Sequence, residues 1–296
     1  MKKYIVFITI ILLLVSAINL DANQSKGKKS KKEICITFDE LPAAMGFKEV
    51  DKGAINYLIL QTLKKYEVKA TGFVVGDRIG DSFDILGQWL NNGHKLGNMT
   101  FTNQDLHQLN EEQFIEDIIN GSNALETMLK GFGQKRRYFR YPFLHYGMDV
   151  GSKEEVKFYL DDHQYYIGHA TVVIDDYLYN LSLEKMGQTP DSAQFEYLLN
   201  EYINYVLDEI EISEQLSKKV LKRPCKQIIR LTANRLNAVY LDEMLGAIKE
   251  MGYKFISLDE ALKDKLYRKE EAYFGSRGVS YIRMLMESDT DYLPAE

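Results

Sequence analysis

Thiol and imidazole are both scarce in this chain: 296 residues hold two cysteines and five histidines. Cys35 and Cys225 allow one disulfide at most, and the alternation of side chains along strands argues against it. If Asp39 and Thr232 both point into a shared site, Cys35 is in phase with Asp39 and faces inward, whereas Cys225 is out of phase with Thr232 and faces outward. Both are expected as free thiols. An excess of positive charge is missing as well, since 37 basic residues stand against 43 acidic ones, giving a net charge of -6 and a pI near 5.6. A nucleic-acid partner needs a basic surface that displaces counterions, so no nucleic acid is expected. Repeats and low-complexity domains are absent beyond one short lysine-rich stretch.

Long apolar runs are absent too, except at the start. "MKKYIVFITIILLLVSAINLDANQ" sets two lysines before an uncharged apolar run and then small residues at Ala17 and Ala22, the layout of an export signal. Residues 1–22 are read as a signal peptide or, because the run is just long enough to span a bilayer, as an uncleaved N-terminal anchor. Either way an exported protein is expected, periplasmic, cell-surface or secreted, and membrane-bound only through that segment. No cysteine lies near the cleavage sites, which removes a lipoprotein. Residues 23–32, "NQSKGKKSKK" in the main, read as a basic, solvated tether.

From residue 33 onward, strand and helix signals alternate. "EICITFDE", "KATGFVV", "HKLGNMT", "RYFRYPF", "ATVVIDD", "CKQIIRLTA" and "YKFISL" read as strands. Between them, "DKGAINYLILQTLKKYE" is an amphipathic helix with Ile55, Leu58, Leu63 and Tyr66 on its apolar face. "DSFDILGQWLNNG", "NEEQFIEDIINGSNALETMLKG" and "NAVYLDEMLGAIKEM" are further helices, the middle one opened by a capping pair, Asn110 and Gln113. This order predicts an α/β fold with a mostly parallel sheet, open or closed into a barrel, whose functional residues gather at the carboxyl ends of the strands. Asp39, Thr100, Arg140, Asp176 and Thr232 all fall there. Residues 181–222 interrupt the alternation with a long helix whose apolar positions are Phe195, Leu198, Leu199, Tyr202, Val206 and Ile210, read as a helical insertion packed on the barrel. "YFGSRGVSYIRMLMES" near the carboxyl end is read either as packing over the barrel or as a contact surface.

Six strand-end motifs resemble, in order, those of the polysaccharide deacetylases of the NodB-homology superfamily, in a bacterial branch with a helical insertion. They are "ITFDELPAAMGF", "GHKLGNMTFTNQDL", "RYFRYPFLHYG", "DDYLYN", "LTANRLNAVYLDEML" and "GYKFISLDEALKD". The resemblance covers residues 33–296 and implies a distorted (β/α) barrel with a groove for an N-acetylated glycan or cell-wall polymer. It also implies a general base, an acid histidine and zinc or another divalent metal held by a carboxylate and two histidines.

Residue by residue, the match is partial. Asp39 matches the base, and Arg140 matches the arginine that positions it. Glu40 stands at the metal carboxylate, while Met99 and Asn103 stand where the two histidines would be. Thr232 replaces the acid histidine, and Arg230 replaces a leucine of the acetyl pocket. Pro142 and Phe143 shape one wall, and Asp176 with Tyr177 resembles an Asp-Trp pair of another. A thioether and a carboxamide bind zinc poorly, and threonine does not titrate near neutrality. No metal cofactor is therefore expected at Glu40, Met99 and Asn103, and the Arg230 guanidinium is expected to fill the cation's place beside Glu40, Asp39 or both.

The five histidines do not rescue the site. His94 and His169 begin strands, His107 lies on the turn into a helix, His163 sits in a polar turn, and His145 is at a strand end without an evident second imidazole. Three functions stay open at this point. The chain is a deacetylase with unusual metal ligands, a hydrolase using Asp39 as base and Arg230 as oxyanion stabiliser, or a silent member that binds a glycan or another ligand in the old groove. The third is favoured.

Overall fold

Nine consecutive residues, Glu33–Leu41, form the longest strand, β1, and it is buried on both faces from Ile34 to Asp39. A strand covered on both sides reads as continuous β-branched and aromatic sequence, which "ICITF" supplies. The computed structural model describes residues 32–45, 51–187 and 191–291, the last three without their side chains. The expected signal or anchor and all of the tether but Lys32 lie outside the described residues. Among those residues, no helix is long and apolar enough to cross a membrane.

Seven further strands join β1: β2 (Thr71–Val74), β3 (Lys95–Asn98), β4 (Arg137–Phe139), β5 (Tyr165–Ile167), β6 (Val172–Val173), β7 (Gln227–Thr232) and β8 (Lys254–Ile256). All pairings are parallel, in the order β5-β4-β3-β2-β1-β7-β6. β8 pairs with the start of β1, Glu33 facing Lys254, on the edge that β2 takes further along. This is the curled parallel half-barrel of a distorted (β/α) barrel. The register of β1 with β7 sets Thr37 beside Arg230 and Asp39 beside Thr232.

Helices cover the sheet: α1 (Lys52–Lys65), α2 (Phe83–Asn91), α3 (Glu111–Gly131), α4 (Val150–Asp162), α5 (Asp176–Lys185), α6 (Ser192–Leu221), α7 (Arg235–Glu250), α8 (Leu258–Ala261) and α9 (Tyr281–Asp291). The Asn110–Gln113 capping box opens α3. On α1 the buried face is Ile55, Asn56, Ile59, Leu60 and Leu63, whereas Leu58, expected inside, is 41% exposed. The four-residue step 55–59–63 sets that face, and Leu58 lies off it. The same step runs along α6 through Leu198, Tyr202, Val206 and Ile210, all buried, and continues as Ser213 and Ser217. Ser213 donates to the Thr171 carbonyl at 2.8 Å, so a polar residue on the stripe is satisfied.

Two elements carry too little signal to be read from sequence. α4 buries only Ser152, Val156 and Leu160, and β5 is three residues long. His163 consequently caps α4, where it stacks on Tyr159 with ring centroids 4.1 Å apart. The carboxyl-terminal segment packs down: Ile282, Met284 and Leu285 are buried, and the Tyr281 N–H donates to the Ala170 carbonyl at 2.7 Å.

Alternation along β1 divides the core. Ile34, Ile36 and Phe38 pack towards the covering helices, while Cys35 joins Phe73, Met99, Tyr138 and Ile228 in an apolar cluster inside the barrel. Cys225 is buried in a separate cluster with Leu266 and Tyr281, and both thiols are free. Burial pushes each of them up to about 12.

Candidate functional site

Asp39, at the carboxyl end of β1, has no exposed side-chain surface. A buried carboxylate needs charged partners, and two arginines supply them. The Arg230 Nε donates to Asp39 Oδ2 at 2.8 Å, and Arg140 Nη1 stands 3.5 Å from Oδ1. Arg230 comes from β7, one strand over, where its register position beside Thr37 aims the side chain along the same inner face as Asp39. Burial works against the Arg230 charge, but Asp39, Asp176 and Glu40 outweigh it and hold the guanidinium above its ordinary pKa. Arg140 is fully buried, donates to Thr37 Oγ1 at 2.9 Å and lies over the Phe73 ring. Thr37 in turn donates to the Ile229 carbonyl at 2.6 Å, which fixes the hydroxyl that Arg140 leans on.

Glu40 turns away from this pair. Its φ is +63°, and its carboxylate accepts from Arg78 Nη1 at 3.0 Å. Of the alternatives expected for Arg230, the direct pairing is thus with Asp39, and Arg78 neutralises Glu40. Arg78 also donates to the Ala43 carbonyl at 3.1 Å, tying the loop after β1 to the turn after β2.

The loop after β3 keeps a strained backbone. Thr100 and Asn103 have φ values of +60° and +58°, a region that a β-branched residue rarely adopts. Asp117 of α3 holds that loop by accepting from the Thr102 N–H and hydroxyl, the latter at 2.9 Å. Gly121 of α3 lets the helix close on it: a Cβ there would meet Asn98 Oδ1 at 2.4 Å and the Thr100 carbonyl carbon at 2.6 Å. Met99 is 1% exposed and packs in the inner apolar cluster, while Asn103 is buried with its Oδ1 unpaired.

On the opposite wall, Asp176 opens α5. Its Oδ2 accepts from the Thr232 N–H and the Asn237 Nδ2, both at 2.6 Å. Burial raises the Asp176 pKa, and Arg230 and the Thr232 N–H offset part of that rise. Asp176 therefore fastens the β7–α7 turn, and Thr232 is buried with it. Pro142 is buried, whereas Phe143 and Tyr177 are 47% and 58% exposed.

These residues do not suit a divalent cation at the place expected of one. Glu40 is engaged by Arg78, Met99 faces an apolar cluster, Asn103 offers a neutral amide oxygen, and the Arg230 guanidinium already sits on Asp39. A fixed positive charge beside that carboxylate opposes a second one.

One expectation about the histidines is overturned. His145 does have a second imidazole: the His107 ring stacks on it with centroids 4.0 Å apart and planes 5° from parallel. Asp105 accepts from His145 Nδ1 at 2.8 Å. Sequence reasoning missed the pair because the two histidines lie on loops after different strands, where no period reports orientation. His94 and His169 do lie ahead of β3 and β6, away from this cluster. Burial takes His94 down to about 4 and His169 to about 3.

The fold is thus a half-barrel of parallel strands with a charged centre at their carboxyl ends, and comparison with known proteins gives the class that it resembles. The polysaccharide deacetylase family matches residues 26–158. Over those residues the chain carries the pattern of the NodB-homology polysaccharide deacetylase superfamily. An uncharacterised 30.6 kDa protein of Geobacillus stearothermophilus is 24% identical over 249 residues, covering 83% of this chain and 77% of that one. A peptidoglycan-N-acetylglucosamine deacetylase of Bacillus cereus is 30% identical over 117 residues, which are 40% of this chain and 38% of the relative. Among solved structures, a CE4 family pseudoenzyme from Bacillus anthracis superposes with a TM-score of 0.53 at 20% identity, covering 79% of this chain and 66% of that one. The last likeness is one of fold.

Proposed function

We propose that this protein is an exported polysaccharide deacetylase-like protein that binds an N-acetylated glycan, or a cell-wall polymer carrying one, without the metal-dependent deacetylation of its superfamily. The observation that carries this reading is the Arg230–Asp39 pair, 2.8 Å long, on a carboxylate with no exposed surface. A general base must reach the water it deprotonates. Here the base position is covered, one of its oxygens is taken by a guanidinium, and Thr232 supplies no acid. The same covering weighs against a metal-independent hydrolase with Asp39 as base.

Binding has separate support. Phe143 and Tyr177 leave large parts of their rings exposed at the carboxyl ends of β4 and β6, where an apolar ring face can lie against a sugar. The Bacillus cereus relative is named for peptidoglycan N-acetylglucosamine, which makes that glycan the first ligand to try. Export rests on the apolar run in residues 1–22.

The test measures acetate release from N-acetylglucosamine oligomers and peptidoglycan with Zn2+, Co2+ or Mn2+ supplied, alongside glycan binding by calorimetry. The expected result is no acetate above a blank, with glycan binding weakened in Phe143→Ala and Tyr177→Ala. Acetate release by the native protein overturns the reading.

A further inference from the structure

We propose that Asp105, His107 and His145 form a binding site for one divalent transition cation of zinc's type, distinct from the superfamily's metal position. The proposal stands independently of the functional reading above, because none of its three residues belongs to the Asp39 centre. One ligand atom from each of the three residues lies within 4.8 Å of the others. A tetrahedral zinc site with nitrogen ligands about 2.0–2.1 Å from the ion sets neighbouring donors about 3.4 Å apart. All three side chains are only partly buried, which leaves them room to turn towards a common point.

The hydrogen bonds already prepare the lone pairs. Asp105 Oδ1 and His145 Nδ1 stand 2.8 Å apart with one proton between them, and a cation that displaces this proton is held by both atoms. The Asp105 oxygen also accepts from the His107 N–H at 2.9 Å, which fixes the short turn Leu106–Gln108. His107 Nε2 is buried and has no hydrogen-bond partner, an arrangement that a ligand would satisfy.

Two imidazoles and a carboxylate favour zinc, cobalt or nickel over calcium or magnesium, which prefer all-oxygen sites. Three protein ligands leave a fourth position for water or an anionic group. The stacked rings are near parallel, whereas ligation requires both nitrogens to converge on one point. Binding therefore splays the His107 and His145 planes and joins the loop after β3 to the loop after β4.

The full chain, stripped with chelator, is titrated with Zn2+ by calorimetry and analysed for bound metal, and Co2+ is substituted for a visible spectrum. The expected result is one Zn2+ per chain, a tetrahedral Co2+ band, and an affinity at least about tenfold weaker in His107→Ala and in His145→Ala. His163→Ala, altered at an exposed imidazole elsewhere, keeps native affinity. Proton resonances of the two rings in the native protein report the same event without any substitution, shifting together on Zn2+ addition. Absence of a stoichiometric site, or binding unchanged by both alanine variants, overturns the proposal.

Discussion

Replacing Arg230 by leucine, the residue that the family resemblance sets at this position, tests whether the guanidinium holds the centre together. Asp39 has no exposed side-chain surface and Arg230 is 16% exposed, so the pair is shielded from solvent on its acidic side. Removing one partner of a buried pair costs about 3–5 kcal/mol, because the remaining charge is stranded. Arg140 stays 3.5 Å from the other Asp39 oxygen and takes up part of that load. The expected loss is therefore at the lower end, about 3 kcal/mol, which for a domain of this size lowers Tm by about 6–12 °C. Urea unfolding of native, Arg230→Leu, Asp39→Asn and the double variant gives the coupling energy directly. It is expected to exceed about 1.5 kcal/mol, since the double variant removes both charges together. If Arg230→Leu stays within about 0.5 kcal/mol of native, or the two changes simply add, the guanidinium is not satisfying the carboxylate and the reasoning is wrong.

Gly121→Ala should destabilise although alanine favours helix: its Cβ would stand 2.6 Å from the Thr100 carbonyl carbon, and such overpacking costs about 1–3 kcal/mol, read as a lower urea midpoint. Asp176→Ala strands the Thr232 N–H and removes one of the two acceptors of the Asn237 amide, which keeps the Thr232 carbonyl, with an expected loss of about 1–3 kcal/mol by the same measurement. The protein should also weaken in acid through His94, whose Nδ1 accepts from the Ala70 N–H and whose folded pKa is down to about 4. Between pH 6.5 and 4 the unfolded chain binds this proton and the folded one does not, so stability falls as pH falls across that window. The expected contribution is about 3 kcal/mol. His94→Gln should flatten the slope of urea midpoint against pH there, and an unchanged slope refutes the assignment.

The layout of the centre was largely legible in the sequence, because strand-end motifs sit at fixed offsets from strands whose alternation is strong. Asp39 and Thr232 could be set facing one site on that ground, and the family resemblance added Arg140 and Arg230. Their partners could not. Arg78, Thr37 and Asp117 act through contacts that chain crossing creates, and nothing in their local sequence separates them from ordinary surface or core residues. The fate of Glu40 was hidden for the same reason: its positive φ sends a carboxylate beside Asp39 in sequence to a different arginine in space. The His107–His145 pair shows a further limit, since loop residues carry no period from which orientation follows. α4 and β5 were missed because two apolar side chains and a three-residue strand fall below what periodicity can detect.

Met99, packed with Phe73 and Cys35 inside the barrel, has a consequence for how this chain can change. An imidazole placed there alone would put a polar ring into an apolar interior with no cation to receive it. Exchanging Arg230 alone would strand Asp39, and exchanging Thr232 alone would press a larger ring into a buried corner. Each of these exchanges made alone runs uphill in stability, and only several made together offer a cation a complete set of donors.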